Sequence, residues 1–246
     1  MDRAKSEAAK AAASAWAARR QSGVERFEVP LYSVTEAARY LDVRSSTMRD
    51  WVRGYRRRSV ERRDVSKGPI VTSLPPREGR SLPFAGLAEA LVVAAFRKRG
   101  LSLQHIRQAV GKLKERFGEH ALSSRDIYTD GARILYDENG SDAEIMKLVD
   151  VGSDQRVFHQ VIRDYLERIT FDEIGASRII LPVSDDLLEV VPHINGGRPR
   201  FISTGAPLQD VLGRLGGGES IRSVADDFGL RPAEVESVRG TFGAAA

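Results

Sequence analysis

From Leu31 onward the apolar residues fall at helical spacing. Val34, Ala37, Ala38 and Leu41 line one face, with Ser33 or Thr35 placed to cap it. Asp42 follows where a tight interhelical turn needs a left-handed residue, a conformation Asp tolerates better than most. Val43 plugs the turn, and Ser45 or Ser46 can cap a second helix whose Met48 and Trp51 point inward. The small Ala38 lets the two helices cross closely. This pattern predicts a helix-turn-helix over about residues 34–54. Further on, Leu87, Ala90, Leu91, Ala94 and Ala95 build an apolar helix ending at Gly100. Ser102 caps another, with Leu103, Ile106, Val110, Leu113 and Phe117 on one side.

Shorter signals mark strands. Between the helix-turn-helix and the apolar helix lie Tyr55-Arg56-Arg57-Arg58, Arg62-Arg63, Lys67-Gly68-Pro69 and the β-prone Ile70-Val71-Thr72. They predict a two-stranded wing that turns near Asp64 to Pro69, and Pro75-Pro76 marks a break after it. Arg133 to Tyr136 before Asn139-Gly140 predicts a strand and turn, and helices are expected over 144–149 and 157–166. Alternation in Arg168 to Phe171 and the apolar Ile179-Ile180-Leu181 predict further strands of a small sheet. Residues 1–20 are alanine-rich, with Trp16 the only large apolar group, so they favour a helix by propensity yet have little to bury. The expected fold is mainly α with small β elements, of α+β class. It divides into a flexible alanine-rich arm over 1–30, a winged helix-turn-helix domain over 31–118 and an acidic α+β domain over 119–246.

Composition narrows the function. No apolar run reaches the roughly 18 to 20 residues that span a bilayer, and the start MDRAKSEAAK lacks the apolar core of a secretory signal. A cytoplasmic protein that does not enter the membrane is expected. With no cysteine and with His105, His120, His159 and His193 scattered, neither thiolate metal sites nor a histidine cluster is available. No cofactor and no metal are expected. The net charge of +4 conceals a split: residues 1–120 carry 25 Lys plus Arg against 13 Asp plus Glu, and residues 121–246 carry 13 against 21. A basic half attracts nucleic acid by releasing counterions from phosphates, and an acidic half is repelled by them.

On the second helix the side chains opposite Met48 and Trp51 are Arg44, Ser45, Ser46, Thr47, Arg49 and Arg53. They are of the kinds that reach phosphates and guanine edges, on the helix that enters a major groove. Arg49 and Arg53 are candidates for base or phosphate contact, and Arg56, Arg57, Arg58, Arg62 and Arg63 for clamping the backbone. The order helix-turn-helix, basic wing and "RKRGLSLQHIRQAV" resembles the DNA-binding domain of MerR-type regulators over roughly residues 31–118. The last helix stops near Phe117-Gly118, where those proteins continue into a long dimerising helix. Metal or drug sensing is therefore not carried over.

The apolar set Val34, Ala37, Ala38, Leu41, Val43, Met48 and Trp51 recurs 187 positions later as Ile221, Val224, Ala225, Phe228, Leu230, Val235 and Val238. A second helix-turn-helix core is implied, with Gly229 in the turn where Asp42 stood. Its second helix offers Pro232, Glu234 and Glu236, with Arg231 and Arg239 the only cations, a face suited to protein rather than phosphate. The run "INGGRPRFISTGAPLQDVLGRLGGGESIRSVADDFGL" resembles a small antitoxin domain known chiefly as a domain of unknown function, over about residues 177–242. Members of that family accompany PIN-fold ribonuclease toxins. Joined to a helix-turn-helix, it resembles a VapB-type antitoxin, with Val191-Pro192 where the family usually has Asp-Pro. The resemblance implies an antitoxin that neutralises a PIN-domain ribonuclease and represses its own operon as a homodimer on double-stranded operator DNA. A stand-alone, ligand-responsive MerR-like regulator is the alternative, and a pure protein adaptor a third class.

An enzyme is not expected. The stretch Gly213 to Ser220 lacks the lysine of a phosphate-binding loop and reads as a hinge or helix terminator. Asp185-Asp186 and Asp226-Asp227 are adjacent pairs whose side chains diverge on a regular element. No serine, histidine and acid trio stands at a motif spacing.

Overall fold

A computed structural model of the chain describes residues 23, 25–57, 65–98, 100–124 and 167–243 and has the expected α+β mixture. The elements expected over 1–20, 133–136, 144–149 and 157–166 lie outside the described residues. A helical turn, Glu25–Glu28 (α1), precedes the helix pair Val34–Tyr40 (α2) and Ser45–Arg53 (α3). Strands Tyr55–Arg57 (β1) and Val65–Lys67 (β2) form an antiparallel pair, followed by helices Phe84–Lys98 (α4) and Leu103–Phe117 (α5). The second half carries an antiparallel meander of Ile169–Phe171 (β3), Ala176–Ile180 (β4), Leu188–Val190 (β5) and Arg200–Phe201 (β6), in that spatial order. Helices Leu208–Gly216 (α6), Ile221–Phe228 (α7) and Pro232–Phe242 (α8) follow it.

Local chemistry sets the helix starts. Ser33 Oγ accepts the Glu36 N–H at 3.1 Å while the Glu36 carboxylate accepts the Ser33 N–H at 2.8 Å, a capping box that selects Ser33 over Thr35. The start of α3 differs from expectation. Arg44 occupies the cap with extended backbone and no side-chain bond, and both Ser45 and Ser46 are inside the helix or at its first position. The Asp42 turn (φ 52°) is so tight, with Val43 N–H bonded to Ala38 C=O at 2.8 Å, that the chain is already helical at Ser45.

The wing also departs from expectation. Its second strand is Val65–Lys67 rather than Ile70 to Thr72, in the register Tyr55 to Lys67 and Arg57 to Val65. Ile70 and Val71 are instead buried, and their N–H groups both reach the Trp51 carbonyl, at 2.9 and 3.3 Å. Burying two branched side chains, at roughly 1.5–3 kcal/mol each, outweighs what an exposed two-stranded ribbon gains from them.

Helix α4 is the centre of the molecule, with every residue from Phe84 to Phe96 buried. A helix that is apolar on all sides needs neighbours all round, and α1, α5 and β4 all pack on it. Its one buried carboxylate, Glu89, accepts from the Thr72 N–H at 2.6 Å and the Thr72 hydroxyl at 2.9 Å, with His120 Nδ1 at 3.6 Å. The buried residues form one continuous cluster from Tyr32 to Phe242. Polar contacts join the two halves along it. The Tyr32 hydroxyl donates to Gly197 C=O at 2.8 Å, and Arg26, in the stretch assigned to the arm, pairs with Asp172 at 2.6 and 2.8 Å. Arg39 lies 5.0 Å over the Phe242 ring and donates to the Phe242 carbonyl.

The repeat is structural. Ser220 caps α7 as Ser33 caps α2, accepting the Ser223 N–H at 3.2 Å. Gly229 (φ 66°) turns where Asp42 does, and Leu230 N–H bonds Ala225 C=O at 2.8 Å, the same length as the Val43 to Ala38 bond. Val224, Ala225, Val235 and Val238 are fully buried, as are Ala37, Met48 and, to within 1%, Ala38 and Trp51. One expectation for α8 is corrected. Glu234 does not stand on its open face but is 5% exposed, accepting the Arg231 N–H at 2.8 Å and the Ser203 hydroxyl at 3.3 Å. As the third residue of α8 it satisfies the N–H of the cap residue, Arg231.

Candidate nucleic-acid interface

Helix α3 buries Met48, Trp51 and Val52 and leaves Ser46, Arg49, Asp50 and Arg53 exposed on the other side. Arg44 is exposed at the helix start, and Ser45 and Thr47 are half-buried. Among the described residues Arg44, Arg49 and Arg53 have no ion-pair or hydrogen-bond partner in the protein, so their guanidinium groups are available to phosphates and base edges. The underside is fixed. Trp51 and Met48 are enclosed, the Trp51 carbonyl holds the Ile70-Val71 segment, and the Asp42 turn sets the angle to α2. A rigid helix with three unpaired cations on its open face is what insertion into a major groove requires.

Gly54 (φ 73°) turns the chain from α3 directly into β1, so Arg56 and Arg57 follow α3 in an antiparallel ribbon opposite Ser66 and Val65. Arg58, Arg62 and Arg63 lie outside the described residues. The base of the ribbon is tied down by a residue that sequence reasoning did not single out. Arg107 of α5 donates to the Gly68 carbonyl immediately after β2. No local motif announces such a bond, because the two residues are 39 apart and meet only after α4 and α5 fold.

Residues 74–81 form a small hairpin that the sequence pattern did not reveal. Leu74 N–H bonds Ser81 C=O, and the Arg77 and Arg80 peptide groups bond each other at 2.9 Å both ways. Its turn is Glu78-Gly79, both left-handed. The string Arg77-Glu78-Gly79-Arg80 carried a turn signal that the neighbouring Pro75-Pro76 masked. In the second helix-turn-helix, the cations of α8 are paired, Arg231 with Glu234 and Arg239 with Glu236. Arg214 of α6 bonds Glu219 and Asp227, and Glu219 is held below the ordinary carboxylate range chiefly by that bond. The Asp185-Asp186 pair points apart: Asp185 accepts from Ser237 at 3.0 Å and Asp186 from Arg168 at 2.8 Å.

Fold and surface thus define a winged helix-turn-helix protein of the DNA-binding class, joined to a second, less cationic helix-turn-helix core. Residues 30–110 match the family described as "Putative DNA-binding HTH domain", and residues 188–239 match "Protein of unknown function (DUF433)". The chain is 40% identical over 218 residues, 84% of its own length and 91% of the relative's, to "Putative antitoxin VapB45" of Mycobacterium tuberculosis (strain ATCC 25618 / H37Rv). It is also similar to the X-ray crystal structure of Rv2018 from Mycobacterium tuberculosis, with a TM-score of 0.66 at 33% identity, covering 87% of this chain and 99% of that one. The chain belongs to the VapB-type antitoxin family. Among the described residues no helix is long and apolar enough to cross a membrane.

Proposed function

We propose that the protein is a cytoplasmic, non-enzymatic antitoxin that binds and neutralises a PIN-domain ribonuclease toxin and, as a homodimer, represses its own operon. The observation that carries this reading is the conjunction of an unpaired arginine face on α3 with a second helix-turn-helix in which the cations of α8, Arg231 and Arg239, are already paired with Glu234 and Glu236. The first suits phosphates and bases; the second suits a protein surface. In a dimer the two α3 helices enter successive major grooves of a pseudo-palindromic operator, one helical turn or a multiple apart. Arg44, Ser45, Ser46, Thr47, Arg49 and Arg53 face the groove, and Arg56, Arg57, Arg58, Arg62 and Arg63 take the backbone. Residues 31–118 act as the DNA-binding unit and 119–246 as the unit for dimerisation and toxin binding.

The test is fluorescence anisotropy on the upstream duplex and on a scrambled one across a salt series, with and without the product of the adjacent reading frame. Specific repression predicts a preference on the order of 10³ or more for the upstream duplex and an affinity that falls steeply with salt. Equal binding to both duplexes, in the presence and absence of that partner, would remove the repressor half. Failure of the full chain to block the partner's ribonuclease activity would remove the antitoxin half.

A further inference from the structure

Arg77 and Arg80 are direct partners across the 74–81 hairpin. Directly opposed residues on an antiparallel pair project to the same face, where like charges are destabilising, so the two arginine side chains leave the hairpin on one side. The residues that follow, Ser81 and Leu82, donate to Tyr32 C=O at 2.9 and 3.0 Å. The Tyr32 hydroxyl in turn donates to Gly197 C=O, immediately before Arg198. The hairpin and the Gly196-Gly197-Arg198 loop of the second half are therefore gathered around one tyrosine. Tyr40 stacks edge-on to it at 6.1 Å. Burial and Glu36 raise the Tyr40 pKa to about 12, against the opposing fields of Arg198, Arg39 and Arg80.

This positive cluster is poorly compensated. Among the described residues Arg77 has no side-chain partner, and Arg198 bonds only the neutral Gln209. The carboxylate nearest Arg80 is that of Glu78, at 3.9 Å and 88% exposed. Glu36, which accepts the Ser33 N–H, is the other carboxylate acting on Tyr40. Three cations drawn from two distant segments outnumber the carboxylates of Glu78 and Glu36 and form a surface that an anion would complete.

We propose that Arg77, Arg80 and Arg198 form a second anion-binding surface that takes backbone phosphates of the duplex flanking the site read by α3. DNA is favoured over an acidic peptide because the surface rests on α2, the partner of the reading helix, and because two of its three arginines belong to the basic half of the chain. The antitoxin domain's own glycine-rich motif thereby contributes to DNA binding. This inference rests on the operator-binding reading above.

Full-length protein carrying R77A/R80A/R198A is compared with wild type and with R44A/R49A/R53A by anisotropy on the upstream and scrambled duplexes over a salt series. The seam variant is expected to bind on the order of tenfold more weakly at low salt and to show a salt slope shallower by about one for each phosphate it no longer neutralises. Its preference for the upstream duplex should persist, and its melting temperature should be unchanged or higher, because removing opposed like charges relieves repulsion. The α3 variant is expected to lose the preference instead. Unchanged affinity and slope in the seam variant, with wild type still specific, overturns this proposal alone; wild type binding without preference overturns the operator reading as well. Weakened partner capture with intact DNA binding reassigns the surface to protein and also overturns it. The R77K/R80K/R198K variant separates charge from packing: it should retain the slope, and a lowered melting temperature in both triple variants would mark a structural role and overturn the proposal.

Discussion

At Gly86 a Cβ would stand 2.3 Å from the carbonyl oxygen of Thr72 and 3.2 Å from the ring of Pro83. Thr72 cannot retreat, because both its N–H and its hydroxyl are bonded to Glu89 one turn further along α4. Gly86→Ala is expected to destabilise the protein by about 2–4 kcal/mol, against the roughly 1 kcal/mol that alanine gains in helix propensity. A lowered guanidinium midpoint would show it, and a stabilised variant would contradict the packing described. Glu89 itself is the one charged residue between Phe84 and Phe96. Only the passage of Thr72 beside it makes its burial tolerable, since an unpaired buried carboxylate is prohibitively costly. Gly197 has a similar role at the seam. Its left-handed backbone (φ 74°) disfavours any side chain, and a Cβ there would meet the Leu31 side chain at 2.8 Å, so the second glycine of the motif serves the docking of the two halves.

At the scale of elements, α1 is held by the Arg26 to Asp172 pair. The Arg26 guanidinium, more than any other group, lowers the Asp172 pKa below its ordinary 3.8. A folded pKa below the unfolded one means the contribution is complete above about pH 5 and is lost as pH falls below the ordinary value. Hydrogen exchange of the 25–28 amides should therefore accelerate at acid pH before the core opens, and Asp172→Asn should show that faster exchange at neutral pH. The wing has its own support. Arg107→Ala is expected to lower DNA affinity several-fold with little change in melting temperature, because it frees the end of β2 without touching the buried core. Anisotropy and thermal melting together check this, and unchanged affinity would mean the wing needs no anchor. Both helix-turn-helix pairs were legible from sequence, because a 3.6-residue period and a left-handed turn residue are local signals. The wing register was not, because Ile70 and Val71 suit a strand and a core equally well and only Trp51 decides between them.

Over the whole molecule, the continuous buried cluster centred on α4 predicts one cooperative thermal transition, with near- and far-ultraviolet circular dichroism changing together. Two resolved transitions would show that the halves fold separately. Charge is distributed on the same scale. A basic N-terminal half and an acidic C-terminal half share one core, and the cationic cluster at their seam crosses that division. The sequence by itself determined the helix-turn-helix pairs, the exposed arginines of α3 and the family resemblance of each half, since each rests on residues a few positions apart whose spacing fixes which face they occupy. Only the tertiary structure decided the burial of Glu89 and Glu234, the anchoring of the wing by Arg107 and the joining of the 74–81 hairpin to the Gly197 loop through Tyr32. Those interactions join distant segments or depend on which segment packs beside them, and no local period encodes them.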